Sequence, residues 1–323
     1  MRAIRRTAPD PDGLLDGIEI ADHDAPPPPP GWTTVALKAA SVNYSDLMAL
    51  RGFGFDPSGP PRVLGSDGAG IDRDGNEVIV YPIVAAPGHG DPLHDPGLRM
   101  LSQGIDGTWA ESVHVPSANL VPKPPELSWE QAACLGTAWL TAYRMLFGRA
   151  DLKPGETVLV QGAGGGVPTA LIRLGVAAGL RVWVAARDRE RGRRAVDELG
   201  ARAAFPAGTP VPEPVDAALD CVGAATLAHS LRSIRPGGRL VTAGAVTGAT
   251  VELDLADLFV RSISVHGSAM GSPAELRRLA RHCAATGAGP VIDGVWPLTG
   301  ARPGLARALA GEGFGKIVLR CDR

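Results

Sequence analysis

The stretch "VLVQGAGGGV" at residues 158–167 carries residue types that can bind a phosphate group. An apolar run typical of a strand leads into a glycine cluster, and glycines allow a tight turn and a close approach of the backbone to a ligand. A helix that starts after the cluster offers backbone N–H groups and a partial positive charge. We therefore predict a dinucleotide-binding turn that uses Gly162 and the backbone N–H groups of Gly165, Gly166 and Val167. A glycine-rich turn without a ligand is the alternative.

Pro168 departs from the usual pattern of such turns, because it stands where a third glycine is expected. Proline lacks an N–H group, but it is tolerated at the first helical position and disfavours helical geometry at the residue before it. We predict that the helix begins at Pro168 and that Val167 lies outside it. The helix is then slightly shifted, and the donors before it remain available to a phosphate.

The end of the second strand of this half predicts which dinucleotide is bound. An NAD enzyme usually has an acid there for the ribose 2′-hydroxyl, whereas this strand ends in "VAARDRERGRR" with Ala186 at that place. Arg187, Arg189 and Arg191 follow, and arginines pair well with a 2′-phosphate. We predict NADPH, bound by Arg187 and Arg191. The alternatives are a solvated helix start, or a turn that brings Asp188 to the ribose.

The composition is that of a soluble globular protein, with 45% hydrophobic and 20% charged residues and a net charge of −2. A chain of 323 residues predicts two domains. The charge gives no general attraction to nucleic acid, and no apolar run approaches the roughly 20 residues of a membrane helix. Because the N-terminus has no apolar segment of signal-peptide length, we expect a cytoplasmic protein without nucleic-acid or membrane partners.

Four widely spaced cysteines favour reduced, mostly buried thiols over a disulfide framework or a cysteine zinc site, because none of them forms a CxxC pair. They are Cys134, Cys221, Cys283 and Cys321.

Two sequence patterns divide the chain. Residues 1–124 have short strand-like runs bounded by turn residues, and the C-terminal stretch returns to that pattern. From about residue 125, strands and helices alternate at a spacing typical of a parallel sheet with helices on both faces. The strand candidates of this half are 157–161, 181–186, 203–205, 217–220, 239–244 and 262–267, and the helix candidates are 168–178, 189–199, 225–234 and 273–285. The fold class predicted is α/β, a doubly wound parallel sheet plus a β-rich domain.

Nine stretches together resemble the medium-chain dehydrogenase/reductase superfamily, in its zinc-independent, quinone oxidoreductase-like branch. In chain order they are "AASVNYSDLMALRG", "LGSDGAG", "GTWAESVHVP", "WEQAACLGTAWLTAYRML", "LKPGETVLVQGAGGGV", "LDCVG", "IRPGGRLVTAG", "SVHGSAMG" and "FGKIVLR". The resemblance implies a GroES-like catalytic domain, split over residues 1–124 and 271–323, and a Rossmann NADPH-binding domain at 125–270. Since relatives pair the edge strand "SISVHG" across a two-fold axis, it also implies a homodimer.

Zinc members of the family carry a cysteine and a His-Glu pair where this chain has "NYSD" and "GSDG". Neither stretch offers the thiolate or imidazole that zinc prefers, so we predict no zinc. One metal-like cluster remains, "PGHGDPLHD" with His89 and His94, for which a polar turn is the better interpretation.

A short helix at "NYSDLMAL" supplies the candidate catalytic groups. On a helix, Asn43, Asp46, Leu47 and Leu50 share one side, with Tyr44 adjacent. By resemblance, Asn43 and Asp46 lie by the nicotinamide, and Tyr44 is a candidate proton donor. The alternatives are that Asn43 caps the helix, that Asp46 supports its first turn, and that Tyr44 is a buried core residue.

The resemblance also implies further residues along the cofactor, each of which could instead be an ordinary turn or packing residue. They are Thr137, Cys221, Val222, Gly223, Gly244, Ala245, Met270, Gly315 and Lys316. Trp139 stands where relatives have a small residue, and its ring is expected to narrow the substrate site. A trimmed stretch, "IDRDG", stands where relatives have a longer strand–turn–strand.

The function predicted is an NADPH-dependent, zinc-independent oxidoreductase that transfers a hydride to a quinone or an α,β-unsaturated carbonyl compound. Without a metal, hydrogen bonds must polarise the acceptor oxygen, which suits conjugated acceptors. One alternative is a zinc-free alcohol dehydrogenase-like or tailoring ketone reductase. The other is a non-catalytic NADPH-binding scaffold.

Overall fold

A computed structural model describes residues 1–7, 14–52, 61–86, 88 and 90–322. The described chain divides by its internal contacts into a first unit, Met1–Ala138 with Gly271–Arg323, and a second unit, Trp139–Met270. The sequence-based boundaries at 124/125 and 270/271 stay predictions. The contact-based division differs from them in assigning residues 125–138 to the first unit.

The regular elements are as follows in chain order. The strands are β1 (Arg2–Arg6), β2 (Ile18–Asp22), β3 (Trp32–Ser41), β4 (Arg62–Val63), β5 (Asp67–Asp72), β6 (Glu77–Val80), β7 (Ile83–Val84), β8 (Arg99–Leu101), β9 (Gly104–Ile105), β10 (Ser112–Pro116), β11 (Leu120–Pro122), β12 (Thr157–Gln161), β13 (Arg181–Ala186), β14 (Ala203–Pro206), β15 (Val215–Asp220), β16 (Ile234–Thr242), β17 (Ser264–Gly267), β18 (Ile292–Pro297) and β19 (Lys316–Arg320). The α-helices are α1 (Tyr44–Leu50), α2 (Trp129–Ala132), α3 (Leu140–Tyr143), α4 (Gly166–Ala177), α5 (Arg189–Asp197), α6 (Ala224–Ser233), α7 (Leu255–Val260), α8 (Pro273–Thr286) and α9 (Arg302–Ala310).

The first unit is built around a mixed sheet in the order β11-β6-β5-β3-β19-β18, to which β10 adds by pairing with β3. The C-terminal strand β19 runs antiparallel to β3, so the end of the chain completes the sheet begun by its first part. Alternating side chains of β3, such as Val35 and Leu37, enter an apolar core that also includes Trp109 and Leu319. This pairing brings the beginning of β19 next to the end of β3.

The second unit is a parallel sheet in the order β14-β13-β12-β15-β16-β17. The predicted strands 157–161 and 181–186 match β12 and β13, and the other strand and helix predictions differ by a few residues at their ends. The strand β12 lies near the centre, and β17 lies at an edge as predicted. The predicted fold class is confirmed, because this doubly wound α/β sheet accompanies a β-rich unit.

The start of α4 differs from the prediction. The helix begins at Gly166 with Gly165 as N-cap, so Val167 is helical and Pro168 is the third helical residue. Proline is tolerated here because the first four N–H groups of a helix have no intrahelical acceptor. The first bond of the helical ladder is donated by the N–H of Thr169 to the carbonyl oxygen of Gly165, at 3.1 Å.

The segment from α2 to residue 149 contains two π-helical turns, Leu135–Trp139 and Arg144–Arg149, on either side of α3. A capping box is present at its start: the Ser128 hydroxyl accepts from the N–H of Gln131, and the Gln131 side chain accepts from the N–H of Ser128. No helix in the described ranges is long and apolar enough to cross a membrane.

Candidate functional site

The glycine-rich turn after β12 has the geometry of a phosphate-binding loop. Gly162 adopts a φ of +91°, which favours glycine. Gly165 is exposed and Gly166 and Val167 are half-buried, and all three precede the first helical hydrogen bond. Their N–H groups therefore lie at the positive end of α4, where an anion is stabilised.

The side chain of Arg191 lies directly over this loop. A Cβ atom built on Gly164 would lie 2.8 Å from Arg191 Cδ and 3.1 Å from its Nε, so the arginine side chain would have to shift if this residue were larger. Sequence reasoning singled out Arg191 by its distance from β13. It did not foresee that the guanidinium would reach back to the glycine turn.

The residues at the end of β13 offer positive charge, and Ala186 stands where an NAD enzyme usually has an acid for the ribose 2′-hydroxyl. Ala186 is buried, and Arg187 is exposed. Asp188 is the N-cap of α5, and its Oδ1 accepts from the backbone N–H of Arg191 at 3.0 Å. The acid that could have served the ribose therefore stabilises the helix start.

The turns that follow β15 and β16 lie next to the glycine loop. A Cβ atom built on Gly162 would lie 3.9 Å from Val222, on the turn after β15. A Cβ atom on Gly244, after β16, would overlap the carbonyl oxygen of Cys221, and one on Gly223 would lie 2.9 Å from the Cα of Ala245. The structure thus brings together the residues that the resemblance placed along the cofactor after β15 and β16.

The turn after β15 is held by a buried carboxylate that sequence reasoning missed. Asp220 accepts from the N–H groups of Val222 and Gly223, at 2.9 and 3.1 Å, and from the hydroxyls of Thr226 and Ser230. The only sequence signal was its place at the end of a strand. Because all these donors converge on one side chain, the backbone of the turn is fixed before any ligand binds.

Cys221 has the properties of a packing residue. Its side chain is half-buried, and desolvation raises the pKa of its thiol to about 12. The thiolate is the nucleophilic form, so this cysteine is unreactive near neutral pH.

The first unit contains a buried polar network centred on Asp67, at the start of β5. Its Oδ1 accepts from the Thr137 hydroxyl at 2.7 Å, and its Oδ2 accepts from the Ser41 hydroxyl at 3.2 Å. Lys316 Nζ lies 3.7 Å from Oδ2, and both charged side chains are at least 98% buried. Neither Asp67 nor Ser41 was singled out from the sequence, because a lone Asp or Ser near a strand end has no motif.

Lys316 enters this network from β19. Its ammonium donates to the carbonyl oxygen of Val42 at 2.8 Å and to Asn43 Oδ1. The Lys316 side chain therefore points into the first unit. The role at the cofactor that the resemblance implies for this residue stays a prediction. The cause is the pairing of β19 with β3, which places the lysine beside the chain segment that leads into α1.

The candidate catalytic residues of α1 have unequal access to solvent. Asn43 and Asp46 are buried, and Asp46 Oδ2 accepts from the N–H of Asn43 at 2.9 Å, which supports the start of the helix. Desolvation raises the pKa of the Asp46 carboxyl to about 7. Tyr44 is 48% exposed, so the alternative of a buried core tyrosine is wrong.

Two further predicted positions have a positive φ, and a third is fully buried. Met270 and Gly315 both have positive φ, +33° and +107°, and a side chain at Gly315 would overlap the carbonyl of Val291. Trp139 is fully buried. Its ring therefore packs inside the protein, and the expectation that it narrows a substrate site stays a prediction.

The residues around "NYSD" and "GSDG" do not fit zinc. The Asn43 side chain amide donates to the Ser66 hydroxyl at 3.2 Å, and the ammonium of Lys316 already occupies the surroundings of Asp67. Zinc prefers thiolate, imidazole and carboxylate ligands. The positive charge of Lys316 would repel a zinc ion beside Asp67. Across the described parts of the chain, no group of three or more His, Cys, Asp or Glu side chains could hold a metal ion.

The "PGHGDPLHD" stretch is partly described. His89 lies outside the described residues, and His94 ends a short 3-10 turn. The neighbouring acids act as turn acceptors: Asp91 accepts from the N–H of Leu93, and Asp95 accepts from the N–H groups of Ala86 and Gly97.

Two family models match the chain. Residues 29–125 match the alcohol dehydrogenase GroES-like domain, and residues 166–285 match the zinc-binding dehydrogenase domain. A solved structure described as an NAD-dependent alcohol dehydrogenase is 32% identical over 100% of both chains, with a TM-score of 0.91.

Two curated relatives match part of the chain. The human synaptic vesicle membrane protein VAT-1 homolog is 35% identical over 165 residues, which are 50% of this chain and 39% of that protein. A crotonyl-CoA carboxylase/reductase of Cereibacter sphaeroides is 35% identical over 162 residues, 43% of this chain and 38% of that protein. The match therefore spans about two fifths of the length of each of these relatives. Together with the two family models and the full-length structural match, these likenesses show that the chain belongs to the medium-chain dehydrogenase/reductase superfamily.

Proposed function

We propose that the protein is an NADPH-dependent, zinc-independent reductase of a quinone or an α,β-unsaturated carbonyl compound. The observation that carries the cofactor part is the Arg191 side chain over Gly164, next to an Asp188 that caps α5. The family supplies the reaction class, which is hydride transfer. The likeness to a crotonyl-CoA carboxylase/reductase favours an enoyl acceptor.

The residues of the second unit would hold the cofactor by its phosphates. The N–H groups of Gly165, Gly166 and Val167 suit the pyrophosphate. Arg191, with Arg187 beside it, suits the 2′-phosphate, because a guanidinium binds phosphate through paired hydrogen bonds. NADPH supplies the hydride when bound.

The remaining cofactor contacts are proposed along the nicotinamide half. The adjoining turns of Cys221, Val222, Gly244 and Ala245 support this part of the proposal, because their backbones lie in contact with each other beside the glycine loop. Thr137, Met270 and Gly315 are proposed at the nicotinamide by resemblance alone.

Proton transfer needs a group that reaches the substrate. Tyr44 is the candidate that the structure favours, because its ring is exposed and its phenol can donate a hydrogen bond to an acceptor oxygen. Asn43 and Asp46 are buried, so we propose them as positioning residues that fix α1 and thereby Tyr44.

Zinc independence is supported by the residues themselves. A buried lysine ammonium, hydrogen-bonded to Asn43 and 3.7 Å from Asp67, provides the positive charge of this region. A second cation there would meet electrostatic repulsion from Lys316.

A zinc-free, alcohol dehydrogenase-like ketone reductase is the second candidate. The full-length likeness to a structure described as an NAD-dependent alcohol dehydrogenase favours it. The two candidates differ in the carbon that receives the hydride, which is the β carbon in an enone and the carbonyl carbon in a ketone.

The proposed assembly is a homodimer that pairs through the edge of the second unit. Leu255, Phe259 and Val260 of α7 are 69%, 72% and 74% exposed, and Val265 on the edge strand β17 is also exposed. An apolar patch beside an open sheet edge favours association. In sedimentation experiments we expect a dimer that Phe259→Asp converts to a monomer. A wild-type monomer at all concentrations would contradict the proposal.

NADPH oxidation with a panel of acceptors tests the function. We expect turnover with quinones, enones or enoyl thioesters, and slower turnover with saturated ketones and aldehydes. NADH serves as the matched cofactor and should support less activity. Tight NADPH binding without turnover on any acceptor would favour a scaffold, and preferential turnover of saturated ketones would favour the second candidate.

A further inference from the structure

A buried hydrogen-bond network in the second unit joins the end of β12 to α6. The Gln161 side chain is fully buried, and its Nε2 lies 2.9 Å from His229 Nδ1 and 3.0 Å from the Ser230 hydroxyl. His229 is also buried, and its Nε2 lies 2.8 Å from the carbonyl oxygen of Thr209, in the segment between β14 and β15. The network therefore connects three separate segments of the second unit.

The Thr209 carbonyl determines which nitrogen of His229 carries a proton. A carbonyl oxygen only accepts, so the 2.8 Å contact requires a hydrogen on His229 Nε2. In a neutral imidazole the other ring nitrogen then carries a lone pair. Nδ1 of His229 is therefore an acceptor, and the NH2 group of Gln161 is the donor that it requires.

The opposite end of the network leads to the same assignment independently. The Asp220 carboxylate accepts from the Ser230 hydroxyl at 2.8 Å and from two backbone N–H groups. Because the Ser230 proton is used there, the Ser230 oxygen can only accept from Gln161. If the Gln161 amide were turned over, its oxygen would face two acceptors, His229 Nδ1 and Ser230 Oγ. The hydrogen-bond network thus allows one orientation of the amide.

One acceptor of the network is left without a partner. Both amide protons of Gln161 are used, and its Oε1 is buried without a hydrogen-bond partner among the residues that the structure describes. A buried acceptor without a partner costs stability. Such groups are uncommon in folded proteins, and a functional role is one reason for keeping them. The glutamine therefore points to a role beyond stability.

The network reaches both turns of the proposed dinucleotide site. Gln161 directly precedes the glycine loop at 162–167. Asp220 accepts from two N–H groups of the turn at 221–223, and this turn lies next to the loop. The loop and the turn are thus held against each other through side chains of β12, β15 and α6.

We propose that His229 is a positioning residue of the dinucleotide site. By accepting from the Gln161 amide it fixes the end of β12, and through Ser230 and Asp220 the same network fixes the neighbouring turn. The backbone N–H groups that meet the pyrophosphate are then in place before the ligand binds, which reduces the cost of ordering them. This inference rests on the proposed function, in which the ligand is NADPH.

Nucleotide binding to substituted proteins tests the proposal. His229→Leu removes both hydrogen bonds of the ring, whereas His229→Asn keeps an acceptor near the position of Nδ1. We expect His229→Leu to bind NADPH about tenfold more weakly than the wild type, which is the effect of one net hydrogen bond, and His229→Asn to recover most of this loss. Gln161→Met removes the amide and should cause the same loss, so it answers the question if His229→Leu does not fold.

Ser233→Ala is the matched control for a purely structural effect. The buried Ser233 hydroxyl donates to the His229 carbonyl oxygen at 2.8 Å, on the same helix but outside the side-chain network. Its removal should lower the melting temperature and leave the dissociation constant of NADPH unchanged. A second control is 2′-AMP, which carries the 2′-phosphate and no pyrophosphate and should bind to every variant as it binds to the wild type.

NMR spectra of the side-chain nitrogens report the tautomer directly, and His229→Asn identifies the signals of His229. We expect a protonated Nε2 and an unprotonated Nδ1 at neutral pH. A proton on Nδ1 would overturn the inference. So would an unchanged NADPH affinity in folded His229→Leu or Gln161→Met.

The outcomes separate the inference from the proposed function. A wild-type protein that binds neither NADPH nor 2′-AMP would overturn both. A wild-type protein that binds NADPH, with Ser233→Ala weakened as much as His229→Leu, would overturn the inference alone.

Discussion

The two units hold their candidate ligand-binding groups by different means. In the first unit, a buried side-chain network of Asp67, Lys316, Asn43 and Ser41 fixes the hydroxyl of Thr137. In the second unit, close backbone packing at glycines fixes the turns beside the loop at 162–167. The site in the first unit depends on a buried ion pair, Asp67–Lys316. The site in the second unit depends on glycines, whose lack of a side chain lets the backbones approach each other.

The two units are therefore expected to respond differently to substitution. Removing a partner from a buried ion pair leaves an uncompensated charge, which is strongly destabilising. Adding a methyl group at a crowded glycine forces backbones apart, which usually costs less stability but moves the ligand-binding groups. The first unit should therefore fail by unfolding, and the second by losing affinity.

The largest effect is expected from Asp67→Ala. The substitution leaves the Lys316 ammonium buried without its carboxylate and should lower the free energy of unfolding by about 3–5 kcal/mol. Chemical denaturation measures this loss. Asp322→Ala removes the carboxylate of an exposed pair with Lys38 and is the matched control, with little change expected. Equal stability of the two variants would contradict the account of the network.

The next largest effect is expected on the pH dependence of stability, through the carboxyl group of Asp46. The pKa of its carboxyl is raised from 3.8 to about 7 by burial, so the folded state binds a proton that the unfolded state releases between these values. Stability from this group is therefore present below about pH 4 and is lost as the pH rises through about 7, by at most about 4 kcal/mol. Denaturation midpoints of the wild type and Asp46→Asn should lie closest near pH 4, separate progressively up to about pH 7 in favour of the variant, and keep that separation at pH 8. Parallel pH profiles would refute this role.

A smaller loss of stability is expected from Gly244→Ala in the second unit. The new methyl group overlaps the carbonyl of Cys221, which should cost about 1–3 kcal/mol and weaken NADPH binding as the turns separate. Gly267→Ala is the control, because a Cβ atom on Gly267 meets nothing within 4 Å. If both variants bind NADPH like the wild type, backbone packing at Gly244 does not shape the site.

The smallest effect is expected from Arg191→Ala. Losing one guanidinium–phosphate contact should weaken NADPH binding about tenfold to thirtyfold and leave NADH binding nearly unchanged. Arg193→Ala, on the same helix but paired with Glu190, should leave both affinities unchanged. Isothermal titration measures all three proteins, and equal losses for both cofactors in Arg191→Ala would remove the basis for NADPH selectivity.

The sequence predicted the second unit better than the first for a physical reason. Its strands β12 and β13 contain the continuous apolar runs 158–160 and 182–186. The turn at 162–167 needs glycines, and these can be read directly from the sequence. The position of Pro168 within α4 was wrong by two residues, because a proline is tolerated at any of the first helical positions.

The Asp67 network could not be predicted in the same way. It joins residues from β3, β5, the π-helical turn at Leu135–Trp139 and β19, which are distant in sequence and share no motif. The exposure of Tyr44 and the burial of Trp139 likewise depend on tertiary packing. Neither follows from helical spacing alone.

Transfer of an isotopic label tests the central claim most directly. The protein is incubated with NADPH that carries deuterium at both positions of C4 of the nicotinamide, together with an α,β-unsaturated thioester or ketone, and the product is analysed by mass spectrometry and NMR. The account predicts deuterium on the β carbon of the saturated product. Deuterium on the carbonyl carbon, or bound NADPH that transfers no label to any acceptor, would contradict it.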